Sequence, residues 1–536
     1  DPDKQQQLES GGLTYDVTQA ENNTTIVAIA PTVHADGVLW VGTDDGNIQL
    51  TQDGGKTWTN LSPRIKDLPD SAWVPQIHPS VHNAGEAFVV VNNYRQNDWQ
   101  PYLYHTTDFG KSWERLIDGN DVGNFLHSFV QDPEEPKLMF AGAEDGLYLS
   151  LDAGANWTKW DKNYPSVATI DMKIHPREHD LVIGTFGRAA WVIDDIRPLR
   201  ALAREGTSIL QKEIYAFEAP QAVLAEYAQA TGIRFAANAI YAGDNRPSGA
   251  MLTFSVKEGK EDREKRMKEE KNEQAEGEEK AEKPADKVKV EIVDAGGKVI
   301  RTFTTEPKTG LNRIRWDLRQ KGVRSPDEDK PKPGEDEPTG LAVLPGTYKV
   351  RYHWNGAADS TTVNVIFDPR IDVDTEALAA SHKMMERLFT MTSLATEAVD
   401  RLKEAKETIA LVEKQLPEGE QYKQAADAVK ERGKALNDTI KQLMEMVNPK
   451  EGVQGIYRDP NILGAKLGTY SYYLGSSLEA PNSNHEVMLS TAESKLKEVL
   501  DEVNRFFEND WKAYRQQSEE VKLTPFKKDY EAIKLN

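Results

Sequence analysis

Three aspartates share one neighbourhood. Asp53, Asp108 and Asp152 each precede a glycine by two residues and a tryptophan by five, in "TQDGGKTW", "TTDFGKSW" and "SLDAGANW". A carboxylate beside an indole ring could hold or cleave a sugar. The same residues also make a turn. The aspartate accepts backbone N–H bonds, and the glycine (Gly55, Gly110 or Gly154) takes a positive φ that other residues avoid. The tryptophans, Trp58, Trp113 and Trp157, then begin an outer strand and pack into a sheet interface. Repetition separates the two readings. The aspartates stand 55 and 44 residues apart, a period of structural units rather than of active sites. These nine residues therefore read as structural.

Chemistry has to be sought elsewhere on the same units. "GVLWVGTDDGNIQLT" and "KLMFAGAEDGLYLS" each read strand, turn, strand, ahead of the first and third motifs. Further apolar runs lie upstream, in "TTIVAIAP", "SAWVPQIHP" and "FLHSFVQDP". A fourth unit, "ATIDMKIHPREHDLVIGTFGRAAWVIDD", lacks the aspartate motif. Four short antiparallel strands per unit make the blade of a β-propeller. The turns of a meander alternate between its two ends, so the turn joining the second and third strands lies opposite the aspartate turns. That rim collects Asp44, Asp45, Glu144, Asp145 and Arg188, and the longer turn "NNYRQNDWQP" adds Tyr94, Arg95, Asp98 and Trp99. Aromatic faces and guanidinium forks suit sugars or peptide chains. For Asp45 and Asp145 the Asp-Gly hairpin preference is reason enough. A glycosidase needs two carboxylates about 5–9.5 Å apart, and the candidate catalytic pair is Asp44 with Glu144. His78, His82, His105, His127, His175 and His179 are scattered, without metal-ligand spacing. No metal and no cofactor is expected.

The aspartate motifs resemble the Asp-box, or BNR, repeat of sialidases, xyloglucan-cleaving enzymes and sortilin-like propellers. "SGGLTYDVTQAENNTTIVAIAP", "LWVGTDDGNIQLTQDGGKTWTNLSP", "AGAEDGLYLSLDAGANW" and "IHPREHDLVIGTFGRAAWVIDDIRPL" are similar to exported bacterial proteins described as sortilin-like or glycosyl-hydrolase-type BNR-repeat proteins. The resemblance covers nearly the whole chain. It implies a propeller, a periplasmic or cell-surface location, and further blades on the N-terminal side. Relatives read "GTHGR" where this chain has "GTFGR", so no role of that histidine carries over to Phe186. The "RIP" arginine signature of sialidases is absent from the blades. Three readings remain: a binding scaffold recognising protein or glycan, a glycoside hydrolase using rim carboxylates, and a sortilin-like receptor or chaperone for exported polypeptides. The first is preferred, and whether the chain is an enzyme stays open.

The chain has no cysteine, which excludes disulfides and thiolate chemistry. Its net charge of −21 makes nucleic acid a poor partner. No apolar run is long enough for a transmembrane helix. Residues 1–205 read as about four blades, residues 206–370 as an immunoglobulin-like β-sandwich interrupted by a charged, solvated insertion at 257–287, and residues 371–536 as an antiparallel three-helix bundle. The bundle's apolar stripes begin at Leu388, Tyr422 and Leu489, and "GIYRDPNILGAKLGTYSYYLGSS" reads as a loop between them. A closed propeller has about four to eight blades. The expected partners are therefore an N-terminal propeller fragment of the same product and a protein or glycan ligand.

Overall fold

The computed structural model describes residues 24–225, 246–265, 287–332, 335–450, 459–521 and 523. Strands β1 (Ile26–Pro31), β2 (Leu39–Thr43), β3 (Ile48–Thr51) and β4 (Thr59–Asn60) form a first antiparallel meander. A second comprises β5 (Trp73–Pro79), β6 (Ala87–Asn93), β7 (Asp98–Thr106) and β8 (Glu114–Ile117). A third comprises β9 (Leu126–Gln131), β10 (Met139–Ala143), β11 (Gly146–Ser150) and β12 (Thr158–Lys159). The fourth has three strands, not the expected four: β13 (Thr169–Ile174), β14 (Leu181–Thr185) and β15 (Ala190–Ile193).

The four sheets pack face to face in chain order, as propeller blades do. Trp40, Ile48 and Leu50 of the first meet Ile77, Val89 and Tyr104 of the second. Phe88, Val90 and Leu103 of the second meet Phe129, Ala141 and Tyr148 of the third. Phe140 and Leu147 of the third meet Met172 and Ile183 of the fourth. Covering both faces buries every residue of β6 and of β10, which is why β10 and the Ala87–Val91 run of β6 are continuously apolar rather than alternating. Strand β14 alternates instead, with Val182 exposed between buried Leu181 and Ile183.

Close approach of the sheets is visible at one glycine. A Cβ on Gly142 would lie 2.3 Å from the Ser128 hydroxyl and 2.4 Å from the Thr169 carbonyl of the next sheet. At the equivalent Gly184 of the fourth sheet the nearest atom is 3.7 Å away, in its own strand pair.

The aspartate turns are built alike. Asp53 accepts hydrogen bonds from the Thr57 N–H (2.9 Å) and hydroxyl (2.6 Å), Asp108 from those of Ser112 (2.9 and 2.7 Å), and Asp152 from the Asn156 N–H (2.9 Å) and side-chain amide (2.7 Å). These donors hold the Asp53 and Asp108 carboxyls down at about 2, led by the Thr57 hydroxyl and the Ser112 N–H respectively. Phe109 and Ala153 adopt left-handed backbone at φ 60° and 62°, each followed by a glycine in the same region. Each turn also ties back to its own sheet. The N–H groups of Gly54, Phe109 and Ala153 donate to the carbonyls of Gly37, Gly85 and Lys137 at 2.9, 2.9 and 3.0 Å. The tryptophans bond the turn glycine, with indole N–H to carbonyl distances of 3.1 Å in all three. Trp113 and Trp157 pack against the preceding sheet. Trp58 does not fulfil the expected packing role, because no sheet precedes it among the described residues, and it is 45% exposed.

Helix α1 (Arg197–Glu205) follows the fourth sheet and packs Leu199 and Leu202 into the third interface. Its Arg200 is buried, with Nε 3.0 and 2.9 Å from the two Asp132 carboxylate oxygens. Nη1 of the same guanidinium lies 2.8 Å from Glu134 and 2.7 Å from His179 Nδ1.

Two further sheets follow. One runs in the order β16 (Ile214–Ala216), β18 (Ala250–Val256), β21 (Gly310–Trp316). The other runs β17 (Ala222–Leu224), β25 (Ala357–Phe367), β24 (Gly346–Trp354), β19 (Val288–Val293), β20 (Val299–Thr305). Leu252, Phe254, Ile292 and Tyr352 share the core between them. A small pair, β22 (Arg319–Lys321) with β23 (Thr339–Ala342), lies beside them. Arg313 of β21 donates to the Asp194 and Asp195 carbonyls at 2.5 and 2.9 Å, joining this unit to the fourth sheet. Most of the charged insertion, residues 266–286, lies outside the described residues.

The C-terminal region is helical: α2 (Thr375–Gln415), α3 (Glu420–Glu445), α4 (Leu463–Gly475), α5 (Ser483–Arg505) and α6 (Lys512–Glu520), the last two joined through a π turn at Phe506–Trp511. The expectation of three helices is corrected here. The stretch read as a tyrosine-bearing loop contains α4, whose Leu463, Leu467 and Leu474 complete the core with Leu402, Ile440 and Leu496. Tyr472 and Tyr473 stay exposed on its outer side.

Candidate functional site

At the end of the sheets opposite the aspartate turns, the second-to-third-strand turn bonds the residue that precedes the innermost strand. The N–H groups of Asp44, Glu144 and Phe186 donate to the carbonyls of Thr25, Phe125 and Ala168 at 3.1, 3.1 and 2.9 Å. This rim is where the sequence placed its candidate ligands.

In the second sheet the turn is a single helical turn at Tyr94–Gln96, closed by Asn97 in left-handed backbone (φ 60°). That reversal brings Trp99 back over Tyr94, with ring centroids 6.3 Å apart. Phe125, from the third sheet, lies beneath both. It stacks on Tyr94 at 4.6 Å and sits 5.6 Å from Trp99. The Trp99 indole N–H donates to the Asn97 side chain at 3.2 Å, which fixes the ring's pose while 52% of the residue stays exposed. Arg95 lays its guanidinium over Trp73 at 3.6 Å and over Tyr94 at 4.5 Å, a stacked cation–π arrangement. On the other side Phe125 contacts His127 (4.9 Å), whose Nε2 is 2.7 Å from the Glu144 carboxylate. The result is a chain of contacts across the boundary of the second and third sheets: a cation, four aromatic rings of which Phe125 is buried, an imidazole and a half-exposed carboxylate.

The other candidates fall outside the strip or are already engaged. Asp44, expected on an open rim, is buried. It accepts the Thr25 N–H at 2.7 Å, and burial raises its carboxyl above the usual range despite that bond. It serves to pin the start of β1 and is no free partner for Glu144. Asp98 is committed too. Burial works to raise it, but the Tyr102 hydroxyl at 2.8 Å, the Asn93 amide at 3.2 Å and the Gln100 N–H at 3.1 Å outweigh that and hold it low. Asp45 takes the Thr43 hydroxyl and the Asn47 amide, and Asp145 takes Lys159 and Tyr148. Arg188 and Phe186 are exposed on the fourth sheet's turn. His105 bridges Glu86 and Glu114 at 2.9 and 2.7 Å, and His175 Nδ1 caps the turn N–H groups of Arg177 and Glu178. Both are structural.

Sequence reading missed Trp73, Phe125 and His127. The signal was present in the repeats. "FLHSFVQDP" enters its strand where "TTIVAIAP" does, so its leading phenylalanine belongs beside the Glu144 turn as Thr25 belongs beside Asp44.

No protein-family model matches the chain. Among curated proteins it is 27% identical over 157 residues to a probable oligoxyloglucan-reducing end-specific xyloglucanase of Neosartorya fischeri, covering 27% of this chain and 18% of that protein. It is 25% identical over 176 residues to the oligoxyloglucan-reducing end-specific xyloglucanase of Emericella nidulans, covering 30% and 20%. The chain thus spans about a fifth of the length of these relatives. Among solved structures, a GH74 enzyme of Niastella koreensis covers 64% of this chain and 46% of its own at 12% identity and a TM-score of 0.27. YCF48 bound to a D1 peptide covers 32% and 52% at 18% identity and a TM-score of 0.24. Among the described residues no helix is long and apolar enough to cross a membrane.

Proposed function

We propose that this chain belongs to an exported propeller protein that binds a glycan chain along the strip between its second and third sheets, without cleaving it. The observation that carries this reading is Trp99. A large indole held in one pose, half exposed and backed by Tyr94 and Phe125, is a flat apolar platform with little ordering left to lose on binding. Sugar rings present C–H faces to such platforms and hydroxyls to their edges. Here the edges carry the Arg95 fork and the His127–Glu144 pair. The identity with xyloglucanases makes xyloglucan oligosaccharides the first ligands to try. Binding is favoured over hydrolysis because Asp44, Asp98 and Asp145 are engaged in holding their own turns.

Affinity electrophoresis and calorimetry with xyloglucan oligosaccharides test this, with an extended peptide pool as the control. Trp99→Ala should weaken glycan binding by roughly tenfold or more, as expected for a central aromatic anchor. Unchanged affinity in both Trp99→Ala and Arg95→Ala would refute the site. Release of reducing sugar that is abolished by Glu144→Gln would replace binding with hydrolysis, and retention of peptides alone would move the ligand to polypeptide.

A further inference from the structure

A cavity lies away from the strip, where the two-sheet unit meets the helices. It measures about 630 Å³, within the ~300–1,000 Å³ of small-molecule sites, which favour such boundaries. Leu224 and Phe367, in register at the ends of the parallel pair β17 and β25, line one part of it. Leu378 of α2 and Leu478, in the connection between α4 and α5, line another. Leu318 and Val343 are buried in the lining, and the Val343 N–H donates to the Leu318 carbonyl at 2.8 Å. Leu318 itself sits in left-handed backbone (φ 59°), which a bulky residue adopts only where its surroundings impose it. The Trp316 indole N–H, donating to the Arg319 carbonyl at 2.9 Å, helps to hold that turn.

Two polar side chains on this lining are uncommitted. Neither the Arg315 guanidinium nor the His382 imidazole has a hydrogen-bond or ion-pair partner among the described residues. Gly249 leaves room for the arginine stem, since a Cβ there would lie 3.4 Å from Arg315 Cγ. His382 follows Leu378 by four residues and shares its face of α2. Burial lowers the imidazole's pKa against the pull of Glu386, so His382 is neutral at pH 7. The other charges cancel. Arg370 Nε lies 2.8 Å from the Asp368 carboxylate, and Asp317 offsets Arg319, whose Nη1 donates to the Gly340 carbonyl at 3.1 Å. Arg315 is therefore the net positive charge of the cavity, on a chain of net charge −21.

We propose that this cavity binds a small carboxylic acid with an apolar body, its carboxylate met by Arg315 and its body lying against Leu224, Phe367, Leu378 and Leu478. The guanidinium fork matches a planar carboxylate in two parallel hydrogen bonds. One unpaired cation balances one negative charge, whereas a phosphate dianion would leave charge unbalanced beside an apolar lining, at a cost in desolvation. His382 adds a hydrogen-bonding group without a second charge.

Calorimetry on the full chain with octanoate, hexanoate and octanol tests this. Octanoate should bind at one site per chain. Octanol, which lacks the charge, should bind roughly tenfold more weakly. Hexanoate, two methylenes shorter, should also bind roughly tenfold more weakly. Arg315→Gln, at an exposed residue, should bring octanoate down to the level of octanol and leave octanol unchanged. Leu478→Ala, also at an exposed residue, should weaken both ligands by roughly threefold or more. Equal affinity for octanoate and octanol would overturn the proposal, as would octanoate binding that neither variant changes. Tighter binding of inorganic phosphate than of octanoate would overturn it in favour of a bare anion site. Octanoate binding that appears only when residues 226–245 are replaced by a Gly-Ser linker would give the cavity to the chain's own segment and refute the proposal as well.

Discussion

Replacing Arg200 with alanine tests how α1 is held to the propeller. Arg200 and Asp132 are both buried, and the guanidinium Nε lies 2.9 Å from the nearer carboxylate oxygen. At that distance, with an effective dielectric of about 20, the attraction is about 6 kcal/mol. Part of it only offsets the desolvation of the two ions. Asp132 also keeps the N–H groups of Glu134 and Glu135, at 2.9 and 2.7 Å, after the arginine is gone. Losing one partner of a buried pair costs about 3–5 kcal/mol, and the surviving N–H bonds place Arg200→Ala toward the lower end. Arg200→Met combined with Asp132→Asn removes both charges and should recover most of that cost, with a coupling energy of about 2 kcal/mol. Unfolding of the whole chain would mix several domains, so the assay is hydrogen exchange resolved to peptides from residues 132–138 and α1. These should exchange roughly a hundredfold faster in Arg200→Ala and near the wild-type rate in the double variant. If exchange there changes less than about threefold, or the double variant is as fast as the single, the pair does not hold the helix.

Acid should loosen the interface between the second and third sheets. Burial, aided by Lys173, pushes the His78 imidazole down to about 4 from 6.5, where it rests on Phe129 and accepts the Gln131 N–H. A depressed imidazole contributes stability above pH 6.5 and loses it as pH falls toward 4, by up to about 3 kcal/mol; His78→Gln should flatten that dependence in thermal melts. Gly142→Ala should destabilise by about 1–3 kcal/mol through overpacking against Thr169. Gly184→Ala, where a Cβ would meet only an ordinary van der Waals contact with the Asp171 carbonyl, should be neutral or stabilising by up to about 1 kcal/mol, read from the same melts.

Much of the blade architecture was legible because its signals are local. The aspartate turns, the Asp-Gly hairpins and the alternating strands are each set within about fifteen residues, and those signals recur unit after unit. The fourth unit's missing strand was also foreshadowed, since "GTFGRAAWVIDD" carries no aspartate turn to start one. What was not legible depends on which sheets meet. Asp44 reads as a rim acid until Thr25 is seen to reach it. Phe125 and His127 read as part of an apolar run until Tyr94 and Glu144 arrive from two different turns. Trp58, Trp113 and Trp157 are indistinguishable in sequence, and only the presence or absence of a preceding sheet sets their burial. Helix α4 was hidden by its glycines and tyrosines, which lower helix propensity; packing against α2 and α5 supplies what propensity does not.

Each of the first three sheets closes its own hydrogen bonds, from the aspartate turn back to the first hairpin loop, and then leans on its neighbours. Such a molecule behaves as a one-dimensional array, in which a unit's persistence depends on how many neighbours it has. The first sheet, with one neighbouring sheet among the described residues, is where fraying of this array should begin as the chain is heated or pulled. The proposed binding strip spans the second and third sheets, each flanked on both sides, so it would be among the last parts of the array to melt, and a ligand held there would outlast the opening of an outer blade.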